Sequence, residues 1–412
     1  MRGVLAILGG TAIGQIVTLF ALPILARIYV PDEYGLLAVA MSAAAIIAPL
    51  ATMRLEGAVV LAGSRSEVSA LIQAALVSLA TTSTCLAAVI ALSGLQQRVS
   101  IDGRTTLMWG LPLLVFVAGC VTLFSQLAVR DKAYSKIGTR NTAQSLAITA
   151  GQFGFAPLRG IPGFNGLIAG SVIGSAVGVF VLRQYAARYV RVVAWHSSLA
   201  GLSRYWKFPV VFAPMTSFML LAQQGPVFVI AHRFSAAEVG QFAMADRVLA
   251  VPIALIGLAV GSVFEGEMAE RLRRGTSDVS TVYLRTSGVL GAVGALGGLV
   301  LWFLAKPLSV WALGDEWTVA GETLAVMSTV LFSRMVVNPT RQFLQLLEKA
   351  TQAFVLEGVR VALFGGAVFL AATAGADLID TLWWMLSALV VADALTWVYG
   401  LHAVHRADQE AT

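Results

Sequence analysis

The chain has 412 residues, of which 58% are hydrophobic and only 12% charged, and its mean hydropathy is +0.81. A soluble domain carries about 25% charged residues, so most of this surface must face lipid rather than water. The net charge of +6 then belongs to loops beside an anionic leaflet and argues against a nucleic-acid partner.

In chain order, uncharged runs cover residues 4–26, 34–53, 68–97, 105–129, 141–158, 160–182 and 208–231. They continue over 248–264, 286–305, 323–333, 361–376 and 381–399. A helix needs on the order of 20 apolar residues to cross a bilayer, which predicts twelve spans. Backbone polar groups in lipid are satisfied only in helices or closed barrels, and runs of this length lack the alternation of a barrel. The first run follows Met1-Arg2 but is too long for the apolar core of a secretory signal, so it is read as a retained span.

A repeat organises these spans. Ala26-Arg-Ile-Tyr-Val-Pro-Asp-Glu-Tyr-Gly-Leu-Leu-Ala38 returns 205 residues later as Ala231-His-Arg-Phe-Ser-Ala-Ala-Glu-Val-Gly-Gln-Phe-Ala243. A weaker echo sets Leu127-Ala-Val-Arg-Asp-Lys-Ala133 against Leu344-Gln-Leu-Leu-Glu-Lys-Ala350, and the extra residues of the second half are expected in a loop at 265–278. The predicted fold is all-α: two six-helix bundles, 1–192 and 204–412, joined by a linker at 193–203. A pseudo-two-fold axis along the membrane normal relates them, as in transporters built from parallel repeats.

Lys and Arg residues set the orientation. With border residues given to the nearest loop, 21 fall on the side of the termini and six on the other, while Arg247 lies within span 8. Both termini are therefore expected in the cytoplasm. The basic, aromatic stretch 186–207, with Trp195 and Trp206, is expected to lie along the membrane surface.

Cys85 and Cys120 fall inside apolar runs and are expected to be buried small hydrophobes. No cysteine or histidine spacing points to a metal or a disulfide framework, and no phosphate-binding loop exists, so no cofactor is expected. Gly166, Gly170, Gly174 and Gly178, and the group at 291–298, mark stripes where helices pack closely.

A charge at bilayer depth costs several kcal/mol unless it faces a cavity or a partner, so the few such charges are the candidate site. Arg54 and Glu56 end span 2, and at i, i+2 they cannot pair on a straight helix. They either reach for the interface or turn inward. Asp246 and Arg247 sit about two turns inside span 8. Arg334 interrupts span 10 just before Asn338-Pro339, where a kink is expected, and Asp393 interrupts span 12. An Arg–Asp pair among spans 8, 10 and 12 is the structural alternative to a ligand role.

Three stretches carry a family resemblance. Pro23-Ile-Leu-Ala-Arg-Ile-Tyr-Val-Pro-Asp-Glu-Tyr-Gly35, Arg54-Leu-Glu-Gly-Ala-Val-Val-Leu61, and Ala245-Asp-Arg-Val-Leu-Ala-Val-Pro252 with Gly261-Ser-Val-Phe264 resemble the oligosaccharide flippases of the multidrug/oligosaccharidyl-lipid/polysaccharide exporter superfamily. The likeness runs along nearly the whole chain. It departs at Leu55, where the family has an aromatic residue, and at span 1, which only three residues precede.

The resemblance implies a non-enzymatic carrier in the bacterial inner membrane. Its substrate would be an undecaprenyl-pyrophosphate-linked oligosaccharide, moved to the outer leaflet by alternating access. Membrane lipids, glycosyltransferases and a polysaccharide polymerase would be its partners. Arginine suits a diphosphate because its planar fork donates paired hydrogen bonds. Arg27, Arg54, Arg247, Arg334 and Asn338 are thus candidate substrate ligands, and Glu56, Asp246 and Asp393 candidate ion-coupling or charge-pair residues. Two other readings stay open: an ion-coupled drug/cation antiporter of the same superfamily, although residues 4–26 hold no acid, and a membrane glycan-assembly enzyme, although the predicted outer loops are short.

Overall fold

The structure, a computed structural model, describes residues 2–92, 107–159, 161, 164–189, 203–274, 278–346 and 350–411. Among these residues the regular elements are all helical. In chain order they are α1 (Arg2–Ile28), α2 (Pro31–Ala51), α3 (Leu55–Leu61), α4 (Arg65–Leu92), α5 (Leu107–Arg130), α6 (Tyr134–Gly154) and α7 (Gly166–Tyr189). Then come α8 (Ala213–Arg233), α9 (Ala236–Arg274), α10 (Val279–Leu313), α11 (Thr318–Ser328), α12 (Leu331–Leu346), α13 (Ala350–Thr373) and α14 (Leu378–Ala411).

Among the described residues, eight helices are long and apolar enough to cross a membrane, or up to nine if the bent pair α11–α12 is one span. The helices α6, α8 and α9 lie outside that group. The chain is thus a multi-pass helical membrane protein.

The helices pack into two compact units, Met1–Gly240 and Gln241–Thr412. In the first, the glycine stripe of α7 packs on α6. A side chain at Gly170, Gly174 or Gly178 would collide with Gln152, Ile148 or Gln144, which are themselves four residues apart. On its other side α6 meets α1: Asn141 Nδ2 donates to Thr11 Oγ1 (2.8 Å) and Thr142 Oγ1 to the Gly10 carbonyl (3.1 Å). This is how so polar a helix survives in the bundle: neighbours close enough for backbone contact satisfy its amides and hydroxyls. Arg140, just before the uncharged run at 141–158, lies on this helix and donates to Gln144 Oε1 (3.1 Å) and Ser125 Oγ (3.0 Å). The linker expected along the membrane surface falls mostly on residues 190–202, outside the described residues.

In the second unit, Gly291, Gly294 and Gly298 of α10 admit Phe332, Leu331 and Ser328 at close range. Tyr283 fills the interior, sharing a hydrogen bond with Thr340 Oγ1 (2.9 Å) and donating to the Trp397 carbonyl (3.1 Å). Asp408, near the end of α14, accepts from the backbone N–H groups of Val279 and Ser280 (2.9 and 3.0 Å) and so caps α10.

Three expectations need correction. The bend of span 10 is not at Asn338-Pro339, because α12 runs through both to Leu346. The break lies between α11 and α12, with a 54° bend. There the Ser328 and Thr329 hydroxyls bond to carbonyls three residues back, competing with the helical ladder. The loop expected at 265–278 is mostly helix as well. At 39 residues α9 reaches about 58 Å, well beyond a hydrocarbon core of about 30 Å, and Arg271 ties its far end to Glu267 and Asp278. Finally, Cys120 is buried as expected but Cys85 is exposed.

Candidate functional site

The site begins with a fault in a helix. Pro49 lies inside α2, and two residues beyond it the helix ends at Ala51. Met53 and Arg54 then take left-handed backbone angles (φ 54° and 55°), which non-glycine residues rarely adopt. Such conformations cost on the order of 1–3 kcal/mol each and persist where the surroundings hold them. Here the Arg54 N–H reaches back to the Pro49 carbonyl (2.9 Å) and the Thr52 N–H to Ala48 (2.9 Å). Beyond the break, α3 carries Glu56 in its first turn, and Arg130 holds the far end of α3 by donating to the Val59 carbonyl (2.8 Å).

Because the helix breaks, the i, i+2 rule for a straight helix does not apply. Arg54 Nη1 meets Glu56 Oε1 at 3.0 Å. The glutamate is 1% exposed and the arginine side chain 37% exposed, so one partner is fixed and the other reaches out. Both line a cavity of about 240 Å³ within the first unit, with Ala48, Pro49, Thr52, Thr122 and Thr216 among its walls. The other carboxylate oxygen, Glu56 Oε2, is buried without a hydrogen-bond partner.

A second polar cluster in the same unit clamps the first copy of the repeat. Glu33, 3% exposed, accepts from the Val30 N–H (3.1 Å) and pairs with Arg159 Nε (3.3 Å). Asn165 donates to the Glu33 carbonyl (2.9 Å), while its own Oδ1 accepts from the Leu167 and Ile168 N–H groups and starts α7. Tyr29 donates to the Gln152 carbonyl at 2.6 Å. Burial first, then the Glu33 carboxylate, push this phenol up to about 12, so it stays a donor. In the second copy, Glu238 accepts from the Ser235 N–H (2.9 Å) as Glu33 does from Val30. Sequence reading caught these acids only as parts of a repeat; their use as N-terminal helix caps was legible from their spacing after each break.

In the second unit, Arg334 Nη1 lies 3.8 Å from Asp246 Oδ1, a long pair with the aspartate side chain 48% exposed. Asn338 follows Arg334 by four residues, on the same face of α12. Asp393, 2% exposed, accepts from Ser333 Oγ (3.0 Å) and lines a mostly apolar cavity of about 350 Å³ with Phe332, Val336 and Trp397. Arg247 is partly buried on α9, and Arg27 is exposed at the end of α1. The structure thus joins Arg54 to Glu56 and Arg334 to Asp246. Sequence reading missed the threonines of the Glu56 cavity, which nothing in their spacing announces. Among the described residues no group of acids, histidines and cysteines could hold a metal.

A polysaccharide biosynthesis protein family model matches residues 24–322, most of the chain. The chain belongs to that family. It is 27% identical over 404 residues to the succinoglycan biosynthesis transport protein ExoT of Rhizobium meliloti (strain 1021), covering 94% of this chain and 76% of that protein. Its fold is similar to the lipid II flippase MurJ in an inward closed conformation, with a TM-score of 0.69, 12% identity and 98% and 88% of the two chains covered. It is also similar to a MOP superfamily transporter from Pyrococcus furiosus, with a TM-score of 0.64, 12% identity and 98% and 96% of the two chains covered. At these identities the structures speak for the fold, and the family match supplies the link to polysaccharide biosynthesis.

Proposed function

We propose that this family member moves an undecaprenyl-pyrophosphate-linked oligosaccharide from the cytoplasmic to the outer leaflet of a bacterial inner membrane, for cell-surface polysaccharide assembly. Alternating access through a central cationic cavity would need no nucleotide site. The observation that carries the reading is Arg54: a helix break sets it beside a cavity of the first unit, where a membrane protein keeps a charge only for a purpose. A diphosphate is the lipid head group such a fork suits best. Arg27, Arg247, Arg334 and Asn338 would extend the cationic and polar lining. Twelve spans in two bundles, 1–192 and 204–412, both termini in the cytoplasm, and glycosyltransferases with a polysaccharide polymerase as partners complete the proposal. The similarity to ExoT, a succinoglycan biosynthesis transport protein, and to MurJ, a lipid II flippase, supports the same reading.

Deleting the gene should strand lipid-linked oligosaccharide on the cytoplasmic leaflet and remove the matching surface glycan. Complementation with Arg54→Ala at normal membrane abundance should fail. The second reading is an ion-coupled cation antiporter, favoured by the buried Asp393 beside Ser333. Normal surface glycan with greater sensitivity to cationic drugs in the deletion strain would select it.

A further inference from the structure

The cavity beside Arg54 is chemically lopsided. Glu56 Oε1 is taken by Arg54, and Glu56 Oε2 is buried with no hydrogen-bond partner, in a residue that lines the cavity. Two of the wall hydroxyls, those of Thr52 and Thr122, add acceptors. Thr52 Oγ1 gives its proton to the Pro49 carbonyl (3.3 Å) and Thr122 Oγ1 to the Ala118 carbonyl (3.0 Å), which leaves their oxygen lone pairs free. The charged donor at the cavity is the Arg54 guanidinium, 37% exposed. A matching ligand therefore has an anionic end and, adjoining it, hydroxyl groups that donate.

A metal cation does not fit. The guanidinium 3.0 Å from the same carboxylate repels it and already neutralises the acid. Water can fill such a cavity, at about 30 Å³ of liquid per molecule against about 240 Å³, and a ligand hydroxyl would displace it. No protein group donates to Glu56 Oε2, so a ligand hydroxyl placed there would supply its hydrogen bond.

We propose that this cavity is the subsite for the sugar joined directly to the diphosphate of the lipid-linked substrate, Arg54 taking the diphosphate and Glu56 Oε2 accepting a ring hydroxyl proton. The proposal rests on the flippase reading and adds a sugar preference to it. Glu56 would thereby let the carrier tell a loaded lipid carrier from an empty one, which Arg54 alone cannot do.

The test uses the full chain in lipid nanodiscs and two kinds of probe. One is a polyprenyl diphosphate; the other is the same lipid carrying a single hexose or N-acetylhexosamine. Wild type should bind at least one sugar-bearing lipid about tenfold more tightly than the bare one, the scale of one charge-assisted hydrogen bond. Glu56→Ala should bring that ratio to about one. Glu56→Gln, which keeps an acceptor oxygen and the side-chain shape, should retain part of it. Thermal unfolding of each variant separates a lost subsite from a lost fold.

Equal binding of bare and sugar-bearing lipids by wild type overturns the subsite and leaves the flippase reading standing. Binding of neither overturns both. A Glu56→Ala protein that stays folded and keeps the wild-type ratio, with both lipids weakened alike, also overturns the subsite, because Glu56 then only positions Arg54.

Discussion

Gly35 and Gly240, equivalent residues of the two copies of the repeated phrase, pack backbone against backbone. A Cβ on Gly35 would overlap the Ala236 carbonyl oxygen, and one on Gly240 would overlap the Pro31 carbonyl oxygen. The contact is reciprocal: the start of α2 and the start of α9 offer each other the same surface. Both glycines have ordinary helical backbones, so closeness, not a special torsion, demands them.

Gly35→Ala and Gly240→Ala should each destabilise the protein by about 1–3 kcal/mol, the range for overpacking a tight contact. Ala38→Gly, later on the same helix α2, serves as the control for backbone effects. Thermal unfolding in detergent measures the difference. Unchanged stability in both glycine variants would mean that the two helix starts do not touch.

Tyr29→Phe removes the bond to the Gln152 carbonyl and should cost about 1 kcal/mol. It should also change the alkaline limb of the stability profile. The phenol ionises near 10 when unfolded and at about 12 in the fold, so the folded state holds its proton more firmly. Its contribution is complete below pH 10 and is lost as pH rises from about 10 to about 12. Wild type should lose more stability over that window than Tyr29→Phe does. Parallel curves would show that the hydroxyl is not buried.

Glu33→Ala should cost more than Arg159→Ala. The glutamate caps the Val30 N–H as well as pairing with Arg159, whereas the arginine is 36% exposed and its pair is open to screening. About 1 kcal/mol for the cap and less for the pair are expected. A double-mutant cycle over both residues, read by unfolding, checks the order. Arg159→Ala proving the more damaging change would place the weight on the ion pair.

Arg334 tests whether a half-exposed pair is a strut or a ligand. At 3.8 Å, with Asp246 half exposed, the pair should contribute under about 1 kcal/mol. Arg334→Ala should therefore fold normally yet fail in transport, and adding Asp246→Ala should not restore it. Arg334→Lys should keep partial activity, because it keeps the charge and loses the fork. Transport recovered in the double variant would remove Arg334 from the substrate path.

Much of this was settled by sequence alone. Apolar runs fixed helices in lipid, because no other element but a closed barrel satisfies its backbone there. The glycine stripes at 166–178 and 291–298 marked which faces pack closely, and the repeat aligned Glu33 with Glu238, two acids that cap their helices alike. These are local or periodic features, and periodicity survives without knowledge of neighbours.

What tertiary structure decided has one physical source: which backbone groups find a partner away from their own helix. The spacing of Arg54 and Glu56 forbids a pair on a straight helix, and only the left-handed turn at 53–54 brings them together. Asn338-Pro339 carried the local signal for a kink, yet the bend formed at 329–330, where hydroxyls capture carbonyls. Arg140 falls outside the uncharged run at 141–158 and yet joins a helix whose polar groups α1 and α7 satisfy. Helix breaks and buried polar pairs are chosen by the free energy of the whole packed arrangement, and a single sequence shows only one side of each contact.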